Sequence, residues 1–132
     1  MAIIERKGLT LLELVVCTLI IGILASTAVP LSKNFVRYEK EQLLRERLKE
    51  MRQAIDRFYQ LKYAAEPGLE HADYYPKSLE ELIERRCLRR IPVDPITGQS
   101  AWKLRSTSDA ENVEITDGRN VFDVMSTSTE LG

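Results

Sequence analysis

Most catalytic and metal chemistry needs residues that this chain has little of. It holds one histidine and two cysteines in 132 residues, with no CxxC or HxxxH spacing. No zinc finger or histidine-based metal centre can therefore be assembled from sequence neighbours. The six glycines form no phosphate-cradling loop, and no nucleophile, base and orienter grouping stands out, which argues against an enzyme. A net charge of −1 gives nucleic acid no basic surface to bind, so no nucleic-acid partner is expected. Cys17 and Cys87 could close only one bridge, and Cys17 lies in an apolar run. A continuing helix would carry the pair far beyond the roughly 7 Å Cα limit of a disulfide, so both read as free thiols.

What the chain does have is one long apolar stretch, Leu9 to Val29, interrupted by a single acid, Glu13. Crossing a bilayer takes roughly 20 helical residues at about 1.5 Å each, and this stretch is long enough. The bland interpretation is a plain membrane anchor. Against it stands Glu13, because an acid inside a spanning helix costs about 2.5 to 3.5 kcal/mol and normally has a partner. Arg6 and Lys7 precede the run and would be held on the cytoplasmic side. A secretory signal peptide begins in the same way, and Ser26 and Ala28 would supply small residues for its cleavage. Glu13 and the helical pattern that continues past Pro30 count against that alternative.

Lys7, Gly8, Leu9, Thr10, Leu11, Leu12, Glu13 and Leu14 together resemble the class III signal of type IV prepilins and type II secretion pseudopilins. The resemblance implies that a cytoplasm-facing prepilin peptidase cuts between Gly8 and Leu9 and then methylates the new amine of Leu9. The family usually has phenylalanine where this chain has Leu9. Glu13 would meet the terminal amine of a neighbouring subunit during assembly, so that two charges too costly to bury alone answer each other across an interface. Pro30 would mark a place where the helix kinks or melts as the subunit enters the filament. In chain terms, residues 1–8 would be a cleaved leader, 9–30 a transmembrane and filament-core helix, and 31–132 a periplasmic head including the helix's second half.

Beyond Pro30, apolar residues recur at helical three- and four-residue spacing: Leu44, Leu48, Met51, Ile55, Phe58 and Leu61. One continuous helix from Leu9 to about Lys62 is expected. Its first half is apolar all round, and its second is apolar on one face that something must cover. Pro67 and Gly68 end it, and His71 reads as a solvated loop residue. Ser78 with Glu81 forms a capping-box pattern before a short helix with Leu79, Leu82 and Ile83 on one face. Leu88 to Gly98 reads as a rigid connector, with two prolines fixing the backbone and Asp94, Pro95 and Gly98 suited to a turn. Strands are expected from Trp102 through Leu104, from Glu111 to Thr116 with Val113 and Ile115 alternating, and from Asn120 to Met125. Asp117 and Gly118 would turn between the last two.

Tyr74-Tyr75-Pro76, the short amphipathic helix, the segment from Ile91 to Gly98 and Trp102 are similar to the soluble domain of type II secretion major (G-type) pseudopilins. The expected fold is α+β and type IV pilin-like: a long N-terminal helix packed against a small C-terminal antiparallel sheet. The resemblance implies a non-enzymatic subunit of a periplasmic pseudopilus that helps drive protein export. Its partners would be further copies of itself, the prepilin peptidase, an inner-membrane assembly platform with minor pseudopilins, and lipid before assembly. The alternative is a type IV pilus subunit for adhesion, motility or DNA uptake. Such pilins often carry a disulfide-closed C-terminal loop, and this chain has no cysteine pair there. Many major pseudopilins bind calcium in C-terminal loops. Asp109, Asp117, Asp123 and Glu130 are the available oxygen donors here, with Asp117 and Asp123 the candidates, although they form no clustered cage pattern and the tail looks shorter than in calcium-binding members.

Overall fold

A computed structural model describes residues 2–111 and 115–129, the side chains of residues 2–9 excepted. Its elements, in chain order, are helix α1 (Ala2–Ala65), a 3-10 turn (His71–Tyr74), helix α2 (Leu79–Glu84), strand β1 (Trp102–Arg105) and strand β2 (Asp123–Ser126). The chain divides into two compact units, Met1–Glu39 and Lys40–Gly132.

The first unit is the N-terminal part of α1. From Thr10 onward every side chain in it is exposed, including Leu11, Leu14, Ile21 and Leu24. The helical assignment runs through Pro30 without a break.

The second unit is the α+β head, in which a helix packs against a small antiparallel sheet, as expected for the type IV pilin-like fold. Among the described residues β1 and β2 form a two-stranded antiparallel sheet, with Trp102 opposite Ser126 and Leu104 opposite Val124. The helical stripe is covered as its period demands: Leu44, Met51, Ala54, Ile55 and Phe58 are buried with Leu79, Leu82, Leu88, Trp102, Val121 and Val124 in one core. Leu48 packs against that core from its edge.

Leu61 departs from expectation, being 57% exposed. At about 100° per residue the face centred on Met51 passes through Phe58 and Lys62 and leaves Leu61 off its edge. Tyr59 and Lys62, both half-buried, continue the face instead.

The end of α1 is fastened by a tyrosine. Gly68 takes a φ of 102°, open to glycine and strained for other residues. The buried Tyr74 hydroxyl accepts from the amides of Gly68 and Leu69 at 2.9 Å each, and donates to Glu66 O at 3.2 Å. One side chain thereby satisfies the groups freed where the helix stops.

α2 starts as the capping pattern predicts, with Ser78 Oγ accepting from the Glu81 amide at 3.4 Å. The Glu81 carboxylate turns instead to the Lys77 amide, 2.7 Å away. At the other end Arg86 adopts φ 59°, the amide of Arg86 donates to Ile83 O at 3.0 Å and that of Cys87 to Leu82 O at 2.9 Å. This is a Schellman ending, with Cys87 and Leu82 both in the core, and an arginine in the place that glycine usually takes.

Among the described residues the strands are shorter and fewer than expected. β2 begins at Asp123, not Asn120, because the Val121 amide is taken by Pro76 O at 2.7 Å and the Asn120 side chain bonds to Ala72 O and to Ser106 and Thr107. Of the expected strand Glu111 to Thr116, Val113 lies outside the described residues. Glu111, Ile115 and Thr116 are not in a strand, and Ile115 is 83% exposed, not turned inward. Gly118 does take a glycine-favouring φ of 70°, but the turn expected there between two strands is not formed among the described residues, since Glu111, Ile115 and Thr116 are in no strand.

Candidate functional site

The candidate site is the N-terminal helix itself. Three hydroxyls in its apolar run bond back to the helix: Thr18 Oγ1 to Leu14 O and Val15 O at 3.0 and 2.9 Å, Ser26 Oγ to Ile23 O at 2.7 Å, and Thr27 Oγ1 to Leu24 O at 3.0 Å. Donors satisfied in this way cost little in a medium without water. The carboxylate of Glu13 is an acceptor only when ionised, so a carbonyl cannot serve it in the same manner. It is exposed among exposed Leu11, Leu12 and Leu14, and its charge calls for a partner from outside the apolar run.

Gly8 and Leu9 lie within α1, and their side chains are outside the described set. Pro30, also inside α1, has no amide hydrogen to offer the Ser26 carbonyl, a local weak point in an otherwise continuous ladder. Apart from the adjoining backbone of its own helix, nothing among the described residues crowds the Cα of Gly22, so that glycine presents an open, shallow face.

From Thr10 onward α1 is long and apolar enough to cross a membrane, and its most apolar part is not buried. Residues 5–29 match the family model of the prokaryotic N-terminal methylation motif. The chain carries a type IV pilin-like prepilin signal. No curated protein and no solved structure matches the chain. The signal supports a structural subunit of a pilus or pseudopilus that is anchored in a membrane, processed by a prepilin peptidase and assembled into a filament.

The head provides rigid loops. Asp94 is fully buried, and its Oδ1 accepts from the amides of Ile96 and Thr97 at 2.8 and 3.4 Å while Oδ2 accepts from the Ser126 hydroxyl. Trp102 Nε1 donates to Pro92 O at 2.8 Å, so the connector from Ile91 to Gly98 is pinned to both strands. Asn120, also buried, accepts at Oδ1 from Ser106 Oγ and the Thr107 amide, at 2.9 and 3.0 Å. Its Nδ2 donates to Ala72 O at 2.9 Å, which joins the 3-10 turn to the loop after β1. Sequence reading missed Asn120. The available signal was an asparagine beside two strand-like apolar residues, too common to single out.

The calcium candidates fall in different settings. Asp123, on β2, is ion-paired with Arg52 at 2.7 Å. Asp117 belongs to a loop stitched by carboxylates. Asp109 Oδ2 accepts from the Ser106 amide at 2.8 Å and its Oδ1 from the Asp117 amide at 3.1 Å, while Asp117 accepts from Ser108 Oγ and, at 3.1 Å, from the Arg119 amide. The Ser106 amide holds the Asp109 carboxyl below its usual range, and the Ser108 hydroxyl does the same for Asp117. Among the described residues no three His, Cys, Asp or Glu side chains are grouped for a metal ion. Both thiols are free, Cys17 exposed and Cys87 buried, and burial pushes the Cys87 thiol up.

His71 is better placed than a plain loop histidine. Its ring stands 5.6 Å from that of Tyr59 and 5.5 Å from that of Tyr75, within a cluster that continues to Tyr63, Tyr74 and Phe122. The cluster seals the end of α1 against the 3-10 turn through edge and tilted ring contacts.

Proposed function

We propose that this chain is a structural subunit of a type II secretion pseudopilus, held in the inner membrane by its apolar helix with the head in the periplasm. The observation that carries the reading is the prepilin signal over residues 5–29 on a helix whose apolar side chains are exposed around one acid, Glu13. Cleavage between Gly8 and Leu9 creates an amine about 6 Å in rise from Glu13, and each charge is answered by the neighbouring copy when the helices bundle. Pro30 gives the helix a place to yield on leaving lipid. The assembly platform and minor pseudopilins supply the start of the filament, and the membrane holds the pool of subunits.

The secretion branch is favoured over a type IV pilus by two features. Both cysteines are free and neither closes a C-terminal loop. The connector that ends at Trp102 is a built structural unit, with Asp94 and Trp102 holding it from opposite sides. Mass spectrometry of the protein isolated from its own membranes tests the reading. A methylated terminus at Leu9 is expected, and an intact Met1 or a terminus near Val29 would overturn it.

A further inference from the structure

Residues 31–39 of α1, just beyond Pro30, divide their chemistry between two sides of the helix. Leu31, Phe35 and Tyr38 are 71%, 62% and 60% exposed. At about 100° per residue they fall within roughly 60° of one another around the helix axis. Lys33 and Arg37, also exposed and four residues apart, stand on the far side. Glu39, the one acid in this stretch, lies beside the apolar face and away from both cations. Arg37 already interacts within the chain, and a guanidinium with five donors can serve a second acceptor.

The surroundings of this stretch follow from what precedes it. Residues 9–29 match the roughly 30 Å of a bilayer's hydrocarbon core, so Leu31 stands where that core ends. The headgroup layer on each side is only about 5–7 Å deep. In a rod held upright, Phe35 and Tyr38 would stand about 9 Å and 14 Å past Val29, with their apolar rings in water. Leaning the rod toward its apolar face lowers both rings to the headgroup layer, where aromatic side chains are enriched. Anchors of this kind set the tilt and rotation of a spanning helix. The cations then stand on the outer side of the rod among the phosphates, and the guanidinium can take a phosphate by a forked pair of bonds.

We propose that residues 31–39 form a lipid-recognition collar. Leu31, Phe35 and Tyr38 rest in the headgroup layer of the leaflet at the C-terminal end of the apolar run, and Lys33 and Arg37 bind the phosphates of anionic phospholipids. The collar fixes the depth and lean of the subunit before assembly, and makes its hold on the bilayer depend on anionic lipid. It needs α1 to lie in a membrane, as the filament-subunit reading supposes, and is indifferent to which filament is built.

The test uses the full-length chain reconstituted into vesicles of phosphatidylglycerol and phosphatidylcholine in equal parts. The chain is extracted in mild detergent, and the phospholipid it retains is counted by mass spectrometry. Phosphatidylglycerol should be retained in preference. Lys33→Gln with Arg37→Gln should lower that preference by about fivefold for each cation and roughly thirtyfold together. Lys33→Arg with Arg37→Lys should keep it, and unfolding followed by Trp102 fluorescence should be the same in all three chains. In a second measurement Tyr38→Cys is placed in a Cys17→Ser background, where the remaining thiol, Cys87, is buried. An uncharged polyethylene glycol maleimide should react with position 38 more slowly in phosphatidylglycerol vesicles than in phosphatidylcholine vesicles. Equal retention of the two lipids, or equal labelling rates in the two vesicles, overturns the collar and leaves that face to neighbouring rods. A chain that washes off both vesicles in alkaline carbonate overturns the membrane reading of α1, and the collar with it.

Discussion

Arg52, on α1, reaches across to Asp123 at the start of β2, with Nε 2.7 Å from Oδ1, and its Nη2 lies 3.4 Å from the Val124 carbonyl oxygen. One guanidinium thus holds a side chain and a main-chain group of the sheet to the helix, which makes it more than a surface ion pair. Asp123 is also fixed by its own β2 amide contact, Val124 N to Oδ1 at 2.8 Å. Because the Arg52 side chain is half exposed, solvent screening keeps the gain small. Arg52→Ala should cost about 1 kcal/mol, measured by thermal unfolding of the full chain in detergent with the single tryptophan, Trp102, as the fluorescent reporter. Asp123→Asn should cost less, since it keeps an acceptor for the Val124 amide.

The Schellman ending of α2 makes a prediction of opposite sign. Arg86 occupies the left-handed region at φ 59°, a conformation that costs a residue with a Cβ about 1–2 kcal/mol. Glycine removes that strain but loses more chain entropy on folding, about 0.5–1 kcal/mol. Arg86→Gly should therefore raise stability, by about 0.5–1 kcal/mol on the same unfolding assay.

Acid should loosen the loop from Ser106 to Arg119 before it affects the core. The carboxyls of Asp109 and Asp117 are held below their ordinary value of 3.8 by hydrogen bonds from Ser106, Ser108 and the Arg119 amide. A depressed folded-state pKa stabilises the protein above the unfolded value, and that contribution disappears as pH falls below 3.8 and through the lowered folded value. The double variant Asp109→Asn with Asp117→Asn should show a flatter dependence of melting temperature on pH below 3.8 than the unaltered chain. Parallel curves would mean that these carboxylates do not carry the acid sensitivity.

The parts of this fold that repeat locally could be read in the chain, and the parts that depend on distant partners could not. Leu44, Met51, Ile55 and Phe58 announce their burial by period alone, and Ser78 announces a helix start because its partner is three residues away. Leu61 misled because its spacing is also helical and only the half-buried Tyr59 and Lys62 show where the face runs. β2 began late because the Val121 amide is claimed by Pro76 and the Asn120 side chain by Ala72, 48 residues away, and by Thr107, 13 away. Asp94 was legible as a turn residue, while its complete burial required Ser126, on the far strand, to supply a donor. At the N-terminal end the prepilin-type signal was legible because it is contiguous, lying wholly within residues 5–29.

Glu13 is the position where charge and shape can be separated. Glu13→Val removes the acid and keeps helix-forming apolar bulk, so membrane insertion should improve or stay unchanged on the scale of the about 2.5 to 3.5 kcal/mol that an acid costs there. If the carboxylate answered a charge within its own subunit, a shortened acid would fail as badly as valine, because the reach along one helix is fixed. Across an interface, neighbouring helices can shift slightly, and Glu13→Asp should retain part of the assembly that Glu13→Val loses. The measurement is the fraction of processed subunit recovered in sheared filaments, with cleavage at Leu9 checked by mass spectrometry so that processing and assembly are scored separately. Filaments from Glu13→Val in normal amounts would show that the acid has some other purpose. Loss of filaments with normal cleavage places its role in assembly, at the step where the helix exchanges lipid for its neighbours.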